Sequence, residues 1–165
     1  MVISGGMILD LLESYDSEAS VQAVRDFFCK DDPDHPRNYW RIKRRYDAMY
    51  SLGGHSEDVT GIHGSSGNRT EDKMIAGNPY MRAMNSIKRG LQACSIQSRL
   101  LLIDRYIECK KVWAIQLELK LTGNDRYQKA DQRACYEFAD AMDYIVVEDD
   151  VQDLIPQLLI KKGTK

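Results

Sequence analysis

From Asn78 to Met142 apolar side chains recur every three or four residues, and that period commits this stretch of the chain to amphipathic helices. Asn78 is a capping side chain, and Pro79 suits the first helical position, where the missing N–H costs nothing. Tyr80, Met84, Ile87 and Leu91 follow at spacings of four, three and four. A second helix is expected to begin near Ser95, burying Ile96, Leu100, Ile103 and Ile107. Lys110-Lys111 ends it, where positive charge favours a helix C-terminus. A third is expected over Trp113–Leu121, and a fourth from about Asp125 to Met142. The expected fold class is all-α.

Ahead of this block, residues 7–30 suggest a helix broken once, with Leu9, Leu12, Val21, Val24 and Phe28 as its apolar positions and Ser17 or Ser20 as N-caps. The proline-bearing stretch DDPDHPRN is a loop. Helix resumes near Asn38, with Tyr39, Ile42, Tyr46 and Met49 on one face, and Gly53-Gly54 ends it. Residues 53–78 are rich in glycine, serine and acidic side chains and keep no apolar period. They lack the spacing of a phosphate-binding loop, and no strand precedes them. The expected organisation is an N-terminal helical region (1–52), a Gly/Ser-rich loop or linker (53–78), a helical domain (79–143) and a tail (144–165). In the tail, Ile145-Val146-Val147 suits a short strand. Val151, Leu154, Ile155, Leu158 and Leu159 have helical spacing, although Pro156 falls among them. A cover for a second domain, a dimer contact and a frayed terminus are three open readings of the tail.

The 165 residues carry a net charge of −2, but the charge is unevenly placed. Residues 78–135 hold 11 Lys/Arg against 5 Asp/Glu, whereas the flanking segments are acidic. The basic block is the candidate for a polyanionic partner. The longest uninterrupted apolar run, Leu100–Ile103, is four residues, far short of the roughly 20 needed to cross a bilayer, so no membrane role is expected. Met1–Met7 has no basic stretch, so no secretory leader is expected. The four cysteines are widely spaced without a CxxC pair, which suits free thiols in a reducing cytoplasm.

Inside the basic block, the four residues Thr122-Gly123-Asn124-Asp125 separate two periodic segments. Two helices across a short glycine turn form a helix-turn-helix, whose second helix enters the major groove. Trp113, Leu117 and Leu121 are expected to form the buried face of the first helix, widened by Ile115 and Leu119. Tyr127, Ala130, Ala134 and Phe138 would pack the second, the alanines allowing close approach. Its other faces carry Arg126, Gln128, Lys129, Gln132 and Arg133, side chains suited to base edges. Lys120, Thr122 and Asn124 would position phosphates, with Lys110 and Lys111 adding contacts. Asp125 and Asp131 place negative charge near the expected DNA face, although Asp125 also suits a helix N-cap.

The run from Gln97 to Met142, with its LLIDRYI phrase at residues 101–107 and Tyr127, Ala134 and Phe138-Ala139 in the following helix, resembles the C-terminal part of the ArpU/RinA-type phage transcriptional regulators. Those proteins resemble region four of sigma factors. The family tends to place a basic residue where Asp131 stands, and the turn here is one residue longer. The resemblance implies a phage or prophage protein, acting in the cytoplasm of a bacterial host, that regulates late packaging and lysis genes by binding double-stranded DNA. It brings host RNA polymerase among the candidate partners. A homodimer is expected, because one recognition helix gives little affinity and paired half-sites are common.

Other chemistry finds little support. His35, His55 and His63 lie in loops without metal-ligand spacing, so no zinc is expected. The carboxylate clusters Asp31, Asp32, Asp34 and Glu148, Asp149, Asp150 suit solvated surface. No catalytic motif is present, and neither enzymatic activity nor a cofactor is expected. Two other classes fit the same features: a small terminase subunit, which packages DNA as a ring, and a helical interaction protein that binds an acidic partner.

Overall fold

The computed structural model describes residues 14–30, 35, 37–52 and 77–163, excepting the side chains of 50–52. The expectations for Leu9 and Leu12, for most of the DDPDHP loop, for the stop at Gly53-Gly54 and for the glycine-rich segment through residue 76 lie outside the described residues. Among the described residues the fold is all-α. Six α-helices are bounded within the described residues: α1 (Ser17–Phe27), α2 (Tyr39–Leu52), α3 (Pro79–Ala93), α4 (Ile96–Leu102), α5 (Val112–Glu118) and α6 (Asn124–Glu148). A π-helical turn, Ile103–Ile107, prolongs α4. No helix among these residues is long and apolar enough to cross a membrane.

Asp16, rather than Ser17 or Ser20, caps α1. Its backbone is extended and its Oδ1 accepts the Ala19 N–H at 2.9 Å, whereas both serines are already helical. Asn38 links the next two elements. Its carboxamide oxygen accepts the Trp40 N–H at 2.8 Å, and its nitrogen donates to the Cys29 carbonyl at 2.7 Å. On α2, Tyr39 and Ile42 are buried, and Tyr46 and Met49 are half-buried, along the expected face. Asn78 caps α3 by accepting the Tyr80 N–H at 3.0 Å, with Pro79 at the first helical position.

The spine of the molecule is α6, 25 residues long and about 37 Å end to end. Helices α1, α3 and α4 each pack on it, and α2 packs on α3. Val24, Phe27 and Ile42 belong to the same core as Ala134 and Phe138, so the segments before and after residues 53–76 share one interior. Gly90 of α3 faces Phe138 and Met142 of α6, where an added Cβ would collide with the Met142 sulfur.

Three expectations about faces and elements are corrected. In α4 the buried side chains are Ser98, Leu101 and Leu102, while Ile96 and Leu100 are exposed. The π turn adds a residue there, the Glu108 N–H reaching the Ile103 carbonyl at 2.8 Å, and rotates Asp104 inward. In α5 the inward residue is Ile115, flanked by half-buried Val112 and Leu119, while Trp113 and Leu117 are 66% and 75% exposed. Ile145-Val146-Val147 is helix rather than strand, because α6 runs on to Glu148.

The tail past Asp150 forms turns, not a helix, yet Val151, Ile155, Leu158 and Leu159 are all buried. It is not frayed. Its backbone returns to the start of α1 in an antiparallel bridge between Tyr15 and Lys161. The Asp16 N–H donates to the Ile160 carbonyl at 2.8 Å, and the Lys162 N–H to the Ser14 carbonyl at 2.8 Å. The Ile160 N–H donates to the Ser20 hydroxyl at 2.9 Å.

Candidate nucleic-acid interface

The link between α5 and α6 is built from backbone bonds. The Leu121 N–H donates to the Gln116 carbonyl at 2.9 Å and the Lys120 N–H to the Leu117 carbonyl at 3.4 Å, with Lys120 at φ 54°. This is a Schellman ending, and the buried Leu121 seals it against the core. The link is therefore Leu119–Gly123, not Thr122–Asp125: Asn124 and Asp125 already belong to α6. Gly123 sets that entry at φ 92°, ψ 150°, a region that side-chain-bearing residues avoid. It occupies the N-cap position, so Asp125 is not the cap, and no side chain caps the first-turn N–H groups of α6.

Beyond this entry the helix sorts its side chains by direction. Tyr127 and Ala134 are buried and Ala130 is half-buried, as the packing face requires. Arg126, Gln128, Lys129, Gln132 and Arg133 are all exposed, as are Lys111, Lys120, Thr122 and Asn124. At spacings of three and four, Arg126, Lys129 and Arg133 share one stripe. Gln128 and Gln132 share another, roughly a third of a turn away on a 3.6-residue helix. Arg126 and Lys129 make no hydrogen bond or ion pair among the described residues. Arg133 donates to Glu137 at 2.8 Å but keeps most of its side chain in solvent. Lys110 differs from the rest. Asp104 (2.9 Å), Glu118 (3.1 Å) and Glu108 (3.4 Å) surround it, and its hydrogen bonds to Asp104 and Glu118 raise its pKa. Its charge is largely answered within the chain, and it ties α5 to the π turn.

Asp131 does not face outward with the basic side chains. It is 5% exposed; its Oδ2 accepts from Arg25 of α1 at 2.7 Å and its Oδ1 from the Tyr106 hydroxyl at 2.8 Å. The Cys135 thiol donates onward to that hydroxyl at 3.7 Å. Burial pushes the Tyr106 phenol well above its ordinary range, helped by Cys135 and Asp131. Burial also lifts Cys135 to about 12, with the Asp131 charge adding to it. For Arg25, burial works against the charge, but hydrogen bonds to Asp131 and Tyr106 more than offset it and the pKa rises. Sequence inspection missed Arg25 and Tyr106 as structural partners of this helix. It also missed Glu137, whose carboxylate accepts the Ser95 N–H at 2.9 Å at the head of α4.

Among the described residues no group of three or more His, Cys, Asp or Glu side chains is placed to hold a metal ion. Comparison with protein-family models, with curated proteins and with solved structures finds nothing that matches this chain.

Proposed function

We propose that the chain is a sequence-specific DNA-binding regulator that lays the first half of α6 in the major groove. The observation that carries this reading is the exposed stripe Arg126, Lys129 and Arg133 on a helix anchored from beneath by Tyr127 and Ala134. Two of its three cations have no partner in the chain's described residues. Arginine and lysine pair with guanine, and the neighbouring Gln128 and Gln132 with adenine; each well-formed bidentate pair discriminates by about 1–3 kcal/mol. Lys120, Thr122, Asn124 and the uncapped N–H groups of the first turn of α6 suit phosphate oxygens at the same end. Lys111 lies exposed at the start of α5 and adds positive charge. The net charge of −2 requires this attraction to be local. The likeness to ArpU/RinA-type regulators extends the proposal to phage or prophage late genes in a bacterial host, with a homodimer as the binding unit and RNA polymerase as a further partner.

The test is a duplex footprint, with binding followed against salt concentration. Replacing Lys129 and Arg133 with alanine weakens binding and flattens the log–log salt slope by about one for each lost phosphate contact. Unchanged affinity in that double variant overturns the assignment. A second reading draws on Trp113 and Leu117, one turn apart and both exposed on α5, which suit a protein partner. Mass in solution separates the classes: a dimer favours the regulator, and a ring favours a packaging subunit of the small-terminase kind.

A further inference from the structure

Between the start of α6, the π turn and the end of α1 lies a cleft of about 630 Å³. That volume falls within the roughly 300–1,000 Å³ usual for small-molecule sites. Arg25, Lys30 and Arg105 reach it, against the single carboxylate of Asp131. Both oxygens of that carboxylate are already occupied, by Arg25 and by Tyr106. Among the described lining residues the charge left over is therefore positive. The Lys30 ammonium lies over the Trp40 ring at 4.8 Å, and Arg105 makes no hydrogen bond or ion pair among the described residues. Two cations without counter-charges among the described residues on one cleft suit an anion.

The wall adds a second kind of recognition. Tyr127 lines the cleft, is 7% exposed, and its hydroxyl is buried without a hydrogen-bond partner among the described residues. An orphaned phenol in a folded chain is costly; the hydroxyl is closed to solvent, so a ligand that recovered that cost would turn the Tyr127 ring toward the cleft. Gln128 and Gln132 also line the cleft, each offering both a donor and an acceptor from its carboxamide. Amide edges, an aromatic wall and two cations without a described counter-charge together match a base that carries a phosphate.

We propose that this cleft is a nucleotide-binding site, with Lys30 and Arg105 taking the phosphate and Tyr127, Gln128 and Gln132 taking the base. The cleft shares Gln128 and Gln132 with the proposed duplex-reading face, but Arg126, Lys129 and Arg133 do not line it, so the two kinds of binding separate on those cations. The nucleotide could be free or part of a single strand, and the experiment separates these sources.

The full chain is titrated calorimetrically with AMP, GMP, CMP and TMP, with a short single-stranded DNA, and with inorganic phosphate. At least one mononucleotide is expected to bind with a Kd below about 1 mM, and phosphate at least about ten-fold more weakly. If the strand binds and the mononucleotides do not, the nucleotide is one within a strand. Arg105→Ala is expected to weaken binding about ten-fold or more. Tyr127→Phe is expected to weaken binding while its Tm holds or rises, since the orphaned hydroxyl is gone; a merely structural tyrosine would not separate the two readouts. The proposal is overturned if neither mononucleotides nor strand binds, if phosphate binds as tightly as they do, or if Tyr127→Phe binds like the parent. It is also overturned if strand binding is lost with Lys129 and Arg133 but survives the loss of Arg105. Duplex binding that persists alongside a silent titration removes only this site.

Discussion

Asp131 joins three parts of the molecule through one carboxylate: α6 on which it sits, α1 through Arg25, and the π turn through Tyr106. Replacing it with alanine strands a guanidinium and a phenol at once. The expected loss is about 1–3 kcal/mol. It falls below the roughly 3–5 kcal/mol of a fully buried pair because the Arg25 side chain keeps 38% of its surface in solvent. Urea unfolding of Asp131→Ala checks this, and a midpoint equal to the parent's would remove Asp131 as a tie between elements. Gly123 makes a different demand. A Cβ there would touch nothing, so Gly123→Ala isolates the strain of its φ, about 1–3 kcal/mol by the same measurement. The thiols separate by burial. Cys94 is lifted to about 11 and Cys135 to about 12, while Cys109 is exposed. Alkylation of the native chain at neutral pH is therefore expected at Cys109 well before Cys94 or Cys135, as peptide mapping would show.

At the scale of elements, the crossing of α3 on α6 depends on Gly90. Gly90→Ala should cost about 1–3 kcal/mol through overpacking against Met142 and Phe138, read as a lowered Tm. The head of α4 rests on Glu137. Burial alone would raise its pKa, but hydrogen bonds from Ser95 and Arg133 outweigh this and hold it below its ordinary value. A carboxylate lowered in this way contributes stability above its unfolded pKa, and that contribution disappears as pH falls through the folded value. The parent should therefore lose Tm below about pH 4 more steeply than Glu137→Gln, and parallel curves would contradict the linkage. Helix starts at Asn38 and Asn78 were legible in the sequence because a cap is a local device. The outward side of α6 was legible too, since Arg126 to Arg133 sit opposite a regular apolar face. The inward sides of α4 and α5 were not. Each carries apolar residues on two sides, Ile96 and Leu100 against Leu101 and Leu102, or Trp113 and Leu117 against Val112 and Ile115. Period alone cannot say which side a neighbour will cover. The Arg25–Asp131 pair spans 106 positions, beyond the reach of any local pattern.

For the whole molecule, the tail is part of the core. Leu158 is among the most deeply buried side chains, and Leu158→Ala is expected to cost about 2–5 kcal/mol in unfolding free energy. Because the Ile160 N–H meets the Ser20 hydroxyl, the same change should also speed hydrogen exchange in the first turn of α1. Amide exchange in α1 matching the parent's would show that the tail and α1 open independently.

That seam between residues 14–16 and 160–162 also sets a timetable for synthesis. Ile160 leaves the ribosome 140 residues after its partner Ser20, so α1 waits for the five later described helices before its own entrance is sealed. Until then α1 can associate only through its apolar side, and the seam closes only after every described helix between its two halves has been made.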